Sequence, residues 1–261
     1  MGKLDGRVAV VTGAAMGNGE GVARVMAGHG ARVVLWDISD GVFETAASLQ
    51  SKGHEVTARK VDVRSYPECE SAAVEAAKAL GKIDILCNNA GVARLVPFLE
   101  MSDEVRDFQF DVNIKGVWNC TKAVLPIMRE KKYGRIIVMS SVTGPMVANQ
   151  GETAYATTKA AVWGFTKALA LEVVKDNITV NAICPGMIRT PMVENAARAF
   201  SPDNPDPILD MIAGTIPMGR MGDILEIGEL AAFLASQEST YITGTQVVID
   251  GGSTLPETVL P

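Results

Sequence analysis

The feature that most limits what this chain can fold into is a set of short runs that are apolar at every position. Residues 8–11 read Val-Ala-Val-Val, 33–35 Val-Val-Leu and 136–139 Ile-Ile-Val-Met. A strand with one wet face alternates apolar with polar residues, so an unbroken apolar run must be covered on both faces. Strands are predicted over 7–11, 32–36, 55–61, 82–87, 135–139, 178–183 and 246–249. Helical spacing appears between them: Val22, Val25 and Met26 after the first strand, then segments near 41–52, 68–80, 103–131, 154–175 and 224–236. This alternation predicts an α/β fold of Rossmann type, a doubly wound parallel sheet of seven strands in the middle of three α/β/α layers.

The 261 residues suffice for one domain, predicted to run from 1 to 261. No repeat or low-complexity linker interrupts it. The proline-rich stretch 201–207 belongs to an excursion over about 190–218 that is expected to cover a substrate. With 24 basic and 30 acidic side chains the net charge is −6, which gives no general attraction to nucleic acid or anionic membranes. No run reaches the roughly 18 apolar residues of a membrane span, and the first residues lack the apolar region of a signal peptide. A cytoplasmic location is expected, and the four cysteines, Cys69, Cys87, Cys120 and Cys184, have no metal-binding spacing. Only two histidines exist, His29 and His54, which argues against a histidine-based zinc site and a Ser-His-Asp hydrolase. No metal is predicted.

Immediately after the first strand comes Thr12-Gly13-Ala14-Ala15-Met16-Gly17-Asn18-Gly19, followed by a helical pattern. Glycines there allow a sharp turn and close approach of backbone to a pyrophosphate, whose charge the next helix N-terminus favours. The second strand ends at Asp37, about where an acidic residue accepts hydrogen bonds from an adenine-side ribose and repels a 2′-phosphate. Positions 14–16 carry no cation, so NAD(H) is expected over NADP(H). The structural alternative for Asp37 is an N-cap of the helix near 41. Asp62, ending the third strand, is placed to accept from the adenine amino group. Asn88-Asn89-Ala90-Gly91, ending the fourth, lets the cofactor pass close to the backbone.

Tyr155 and Lys159 are four residues apart at the start of a helical segment, so they share a face. A cation near the phenol favours phenolate and predicts a tyrosine pKa below its reference of about 10. That suits Tyr155 to acid/base work. Ser140-Ser141 closes the fifth strand just upstream, at the mouth of the same crevice.

Taken together, the loop at 12–19, Asn88-Asn89-Ala90-Gly91, Asn113, Ser141, Tyr155-x-x-x-Lys159 and Pro185-Gly186 resemble the short-chain dehydrogenase/reductase family over residues 7–252. The resemblance implies a catalytic set of Asn113, Ser141, Tyr155 and Lys159. Tyr155 is the general acid/base, and Lys159 holds the nicotinamide ribose and lowers the tyrosine pKa. Ser141 bonds the substrate oxygen, and Asn113 anchors a water leading from Lys159. The expected cofactor contacts are Gly13, Met16, Gly17, Asn18, Gly19, Asp37, Ile38, Asp62, Val63, Asn89, Ala90 and Gly91, with Pro185, Gly186, Ile188 and Thr190 at the nicotinamide end. Substrate contacts are expected from Ser141, Thr143, Val147, Glu152, Tyr155 and Met187. The resemblance also implies a homotetramer joined through the helices near 103–131 and 154–175 and the last strand.

Two departures stand out. Ser141 and Tyr155 are 14 residues apart where the family usually has 13, and Asn18 replaces the usual isoleucine or leucine. Asn18 adds a polar contact near the nicotinamide or changes helix packing. The predicted activity interconverts a secondary alcohol and its carbonyl. Either a sugar or polyol, suited to Asn149 and Glu152, or a less polar alcohol, suited to the nearby methionines, fits the pocket walls. The alternative reading is a catalytically idle NAD(H)-binding sensor or scaffold.

Overall fold

Each apolar run forms a strand, and the seven strands, β1 (Val8–Thr12), β2 (Arg32–Asp37), β3 (Val56–Lys60), β4 (Ile85–Asn88), β5 (Gly134–Met139), β6 (Ile178–Pro185) and β7 (Gln246–Ile249), lie in one sheet. The structure, a computed structural model, describes residues 2–256; Met1 and residues 257–261, the two ends of the predicted 1–261 domain, lie outside the described residues. All pairings are parallel and the order is β3-β2-β1-β4-β5-β6-β7. The helices are α1 (Gly17–Gly28), α2 (Gly41–Gln50), α3 (Tyr66–Leu80), α4 (Asp103–Phe110), α5 (Gly116–Lys131), α6 (Thr153–Val173), α7 (Pro191–Phe200), α8 (Asp206–Gly214) and α9 (Ile224–Ala235).

Successive side chains of a strand point to opposite faces, and both faces here are dry. Ala9, Val11, Val33, Leu35, Ile137 and Ile183 pack against Val22 and Met26 of α1 and Ile227 and Leu234 of α9. Their neighbours Val8, Val10, Val34, Trp36, Ile136 and Val138 pack on the other side with Cys69 of α3, Val124 of α5 and Val162 of α6. The unbroken apolar runs are therefore the sequence image of a sheet with two cores.

Most element ends shift by one or two residues, and three features depart further from the sequence expectation. The fourth strand begins at Ile85, three residues later than predicted. Asp84 is buried before it, and its carboxylate accepts the Val8 N–H at 2.9 Å and pairs with Arg7 at 3.1 Å and Lys82 at 2.9 Å. The helix predicted over 103–131 is interrupted by a π-turn at Asp111–Lys115, closed by the Gly116 N–H on the Asp111 carbonyl. Such wide turns are frequent at functional sites. Finally, the excursion at 190–218 contains the helices α7 and α8, with the proline-rich stretch forming the corner between them.

Candidate active site

Parallel strands that wind outward in both directions from β1 and β4 leave a crevice at their C-terminal ends. The loop after β1 is built for close approach. Gly13 has φ +64°, and a Cβ on it would lie 2.7 Å from the Ala90 Cα. A Cβ on Gly19 would lie 2.0 Å from the Gly13 carbonyl oxygen. The Asn89 Nδ2 donates to the carbonyls of Thr12 and Gly13, both at 3.0 Å. The Thr12 Oγ1 accepts from the backbone N–H groups of Asn89 and Ala90, again at 3.0 Å. The ends of β1 and β4 are thus clamped together. Met16, just before α1, is exposed and supplies no side-chain cap to the first helical turn.

Asp37 ends β2 half-buried. Its Oδ2 accepts the Ala15 N–H of the glycine loop at 3.0 Å and its Oδ1 accepts the Ser39 N–H at 2.9 Å. It does not cap α2, whose N-cap is Asp40; the carboxylate is instead fixed against the loop. Ile38 beside it is exposed. Lys60, on the neighbouring strand, is paired with Asp40 at 2.9 Å. Asp62 is gripped by Arg64, whose Nε and Nη2 reach its two oxygens at 2.9 and 2.6 Å. The Arg64 fork holds the Asp62 carboxyl below its usual range. Arg64 also lies over the Phe108 ring, 5.5 Å from its centroid. Val63 is buried, and its carbonyl accepts from Asn119 Nδ2 at 2.9 Å.

The four residues of the predicted catalytic set meet at the ends of β5 and α6. Asn113, on the π-turn, clasps the backbone of Val92: its Oδ1 accepts the Val92 N–H and its Nδ2 donates to the Val92 carbonyl, both at 2.8 Å. Its Nδ2 also donates to Thr158 Oγ1 at 3.0 Å. A Cβ placed on Gly91 would lie 3.4 Å from Asn113 Oδ1 and 3.5 Å from Lys159 Nζ, so these three groups share one small volume. Lys159 is buried, with its ammonium donating to the Met139 carbonyl at 2.8 Å, and burial lowers its pKa to about 8. Ser141 Oγ accepts the Thr143 N–H at 3.1 Å.

One expectation is overturned. Burial of the Tyr155 hydroxyl raises its pKa above the ordinary phenol value. The Ser141 hydroxyl pulls it down and the Glu152 charge pushes it up further. Lys159 is not among the groups that lower it; its Nζ donates to the Met139 carbonyl and lies 5.6 Å from the centre of the Tyr155 ring.

Between Ser141 and Tyr155 the chain makes a tight turn in which the Met146 and Val147 N–H groups both return to the Val142 carbonyl at 3.1 Å. Gly144 lets this turn rest on α6, since a Cβ there would lie 2.3 Å from the Ala156 carbonyl. Ser141 therefore still reaches Tyr155. Thr143 is buried beneath the turn, whereas Val147 and Met187 are exposed. Glu152 precedes α6 and its Oε2 accepts Asn149 Nδ2 at 2.9 Å. The Val142 N–H on the Pro185 carbonyl at 3.1 Å and the Gly186 N–H on the Ile249 carbonyl at 3.0 Å fix the end of β6. Ile188 bridges to Gly222, and Thr190 caps α7 and faces Gly17.

Sequence reasoning missed Thr12, Thr158 and Arg64. Thr12 and Thr158 act through backbone or amide groups that only the fold brings near. Arg64 carries a faint local signal, an arginine two residues after Asp62.

This fold and this arrangement define a class, and comparison with known proteins gives the same class. Residues 13–254 match the family model described as enoyl-(acyl carrier protein) reductase. The chain belongs to the short-chain dehydrogenase/reductase family and is an oxidoreductase. It is 60% identical to the oxidoreductase UcpA of Escherichia coli (strain K12), over 99% of this chain and 98% of that protein. Among solved structures, levodione reductase superposes with a TM-score of 0.91 at 32% identity, covering 96% of this chain and 98% of that one. A variant of actinorhodin polyketide ketoreductase with NADPH superposes with a TM-score of 0.92 at 33% identity, covering 98% of this chain and all (100%) of that one. Among the described residues, no helix is long and apolar enough to cross a membrane.

Proposed function

We propose that the chain is an NAD(H)-dependent dehydrogenase that interconverts a secondary alcohol, or a sugar or polyol hydroxyl, with its carbonyl, Tyr155 serving as general acid/base. The observation that carries this reading is the convergence of Asn113, Ser141, Tyr155 and Lys159 beside a loop in which Gly13 and Gly19 leave no room for a Cβ. Such a cradle, with no side-chain cap on α1, fits a dinucleotide pyrophosphate. Gly13, Gly17, Gly19, Asp37, Asp62 and Asn89 would hold the adenosine and phosphates, and Pro185, Gly186, Ile188 and Thr190 the other end. The nicotinamide, when bound, supplies the hydride acceptor or donor.

The chain's own groups manage the proton. In oxidation Tyr155 takes the alcohol proton, and Ser141 donates to the oxygen as it becomes a carbonyl. Lys159 would hold the nicotinamide ribose through its ammonium, and its charge there would favour the Tyr155 phenolate. Asn113, by tying Val92 to Thr158, fixes the wall along which protons leave. The mouth has a polar side, Asn149 and Glu152, and an apolar side, Val147 and Met187. The 190–218 excursion covers it. A cytoplasmic homotetramer completes the proposal; exposed apolar groups on α5 and α6, such as Trp118, whose ring packs at a tilt against Phe165, and Leu171, support the association.

A screen of alcohols, polyols, sugars and ketones followed at the nicotinamide absorbance tests the activity, and absence of turnover with every class would sink it. NAD(H) preference rests on the Asp37 charge, the apolar Ile38 and the engagement of Lys60 by Asp40. Fluorescence titration is expected to show NADH bound more tightly than NADPH. Asp37→Ala should weaken NADH about 10-fold, the worth of a charged hydrogen bond, and narrow the gap between the two. Tighter NADPH binding by the unmodified chain would refute the preference.

Glu152→Gln tests the electrostatics of the acid/base. The Glu152 charge raises Tyr155, so its removal lowers the phenol pKa. Oxidation needs phenolate, so its rise with pH should move to lower pH in the variant. A pH profile of kcat/KM that stays in place or moves upward contradicts this assignment.

A further inference from the structure

Asn18 is a polar residue in the first turn of α1, and its amide carbonyl oxygen is buried with no hydrogen-bond partner. The polar side chains that hold the glycine loop, Asn89, Thr12 and Asp37, all make their bonds within the chain. An orphaned buried acceptor costs stability, and an apolar side chain of similar size would avoid that cost. The side chain does not act as a helix cap either, since Met16 is the N-cap and no side-chain bond is made there.

The surroundings show which way the residue faces. Gly17, just before it, packs toward Thr190, with 3.5 Å from its virtual Cβ to Thr190 Cγ2. Gly21, three residues on and on the same helix face, packs against the Ile224 carbonyl at the start of α9. Asn18 lies between these contacts on α1, and their partners Thr190 and Ile224 each follow a member of the Ile188–Gly222 bridge by two residues. That is the end of the crevice assigned above to the nicotinamide, away from Asp37 and Asp62.

We propose that Asn18 is a cofactor-positioning residue whose carbonyl oxygen accepts a hydrogen bond from the nicotinamide half of the bound dinucleotide. The chemistry restricts the donor. The phosphates offer only acceptors, and the pyridine ring has no donor of its own. Of the donors that this half presents, the ribose hydroxyls and the carboxamide NH2, the one assigned to Asn18 is the carboxamide NH2, which the nicotinamide alone carries. Asn18 thereby fixes the ring against Ile188 at a position where an apolar side chain would supply contact alone. The inference rests on the NAD(H) reading above.

The test compares NADH with ADP-ribose, which keeps the adenosine and both phosphates but lacks the nicotinamide. Both are titrated against the unmodified chain, Asn18→Leu and Asn18→Ala, by calorimetry, and the ligand-free proteins are melted. Asn18→Leu is expected to weaken NADH about 10-fold while leaving ADP-ribose within about twofold, and to raise the ligand-free Tm. Asn18→Ala keeps the affinity comparison open if the leucine variant does not fold, and should show the same loss for NADH alone. Equal losses for both ligands would assign Asn18 to the shape of the loop and overturn the proposal, as would an unchanged NADH affinity. If the unmodified chain binds neither NADH nor ADP-ribose, the NAD(H) reading itself fails, a result distinct from either of these.

Discussion

Tyr155→Phe is expected to lower kcat by about 10²- to 10⁴-fold while leaving NADH affinity within about twofold. That is the range that positioned acid/base groups contribute, and it corresponds to about 2.7–5.4 kcal/mol of barrier at 1.36 kcal/mol per decade. The reasoning is local. Phenylalanine keeps the ring that fills the space beside Lys159 and removes only the hydroxyl, which Ser141 and Glu152 act upon. The Ser141 hydroxyl keeps its bond from the Thr143 N–H, and Lys159 keeps its bond to Met139. The substrate oxygen therefore still finds a donor, but its proton has no acceptor. Turnover in single-wavelength assays, set beside NADH binding by fluorescence, separates the two effects. Turnover within a few-fold of the unmodified chain would remove Tyr155 from the mechanism and favour an idle NAD(H)-binding protein.

Gly19→Ala should be the most damaging single-methyl change. The added Cβ would stand 2.0 Å from the Gly13 carbonyl oxygen and 2.5 Å from Asn89 Nδ2. The nearest obstacle is backbone and cannot rotate away. The loop must move, and the Asn89 bonds to Thr12 and Gly13 move with it. Overpacking costs about 1–3 kcal/mol, and at about 2–4 °C per kcal/mol for a chain of this size the Tm should fall by several degrees. NADH affinity should fall at least about 100-fold, since the displaced atoms form the pyrophosphate cradle. Gly28→Ala is the control. Nothing lies within 4 Å of its virtual Cβ and its φ is not positive, so the same methyl should be neutral or slightly stabilising. Equal affinity for NADH in the two variants would show that the loop does not hold the cofactor.

Lys159 illustrates how a reading from spacing goes astray. Tyr155 and Lys159 share a helix face, as an interval of four residues requires, and the pair does come together. Helical spacing gives no information about the Met139 carbonyl, which lies 20 residues earlier in the chain and captures the ammonium at 2.8 Å. Nor does it give the depth of burial that holds the phenol up and brings Lys159 down to about 8. Asp37 is a similar case. Its position at the end of β2 was legible, but its bond to the Ala15 N–H, which ties it to the glycine loop, depends on two segments that meet only in the fold.

Local order left its mark on the sequence wherever the physical cause is local. A strand buried on both faces reads as an apolar run, so β1, β2 and β5, and with them the two-cored sheet, could be read from residues alone. A loop that approaches another backbone closely must be glycine, so the cradle at 12–19 could be read too. What lay beyond the sequence had causes spread along the chain. The buried Asp84 delays β4 because Arg7, Val8 and Lys82 surround it. The π-turn at 111–115 forms where the Asn113 amide takes both backbone groups of Val92. Arg64 claims Asp62, and the Asn18 carbonyl is left without a partner. Patterning determined which residues face the crevice. Tertiary structure decided which of their hydrogen bonds are already made within the chain, because a bond between distant segments needs partners that no local spacing can supply.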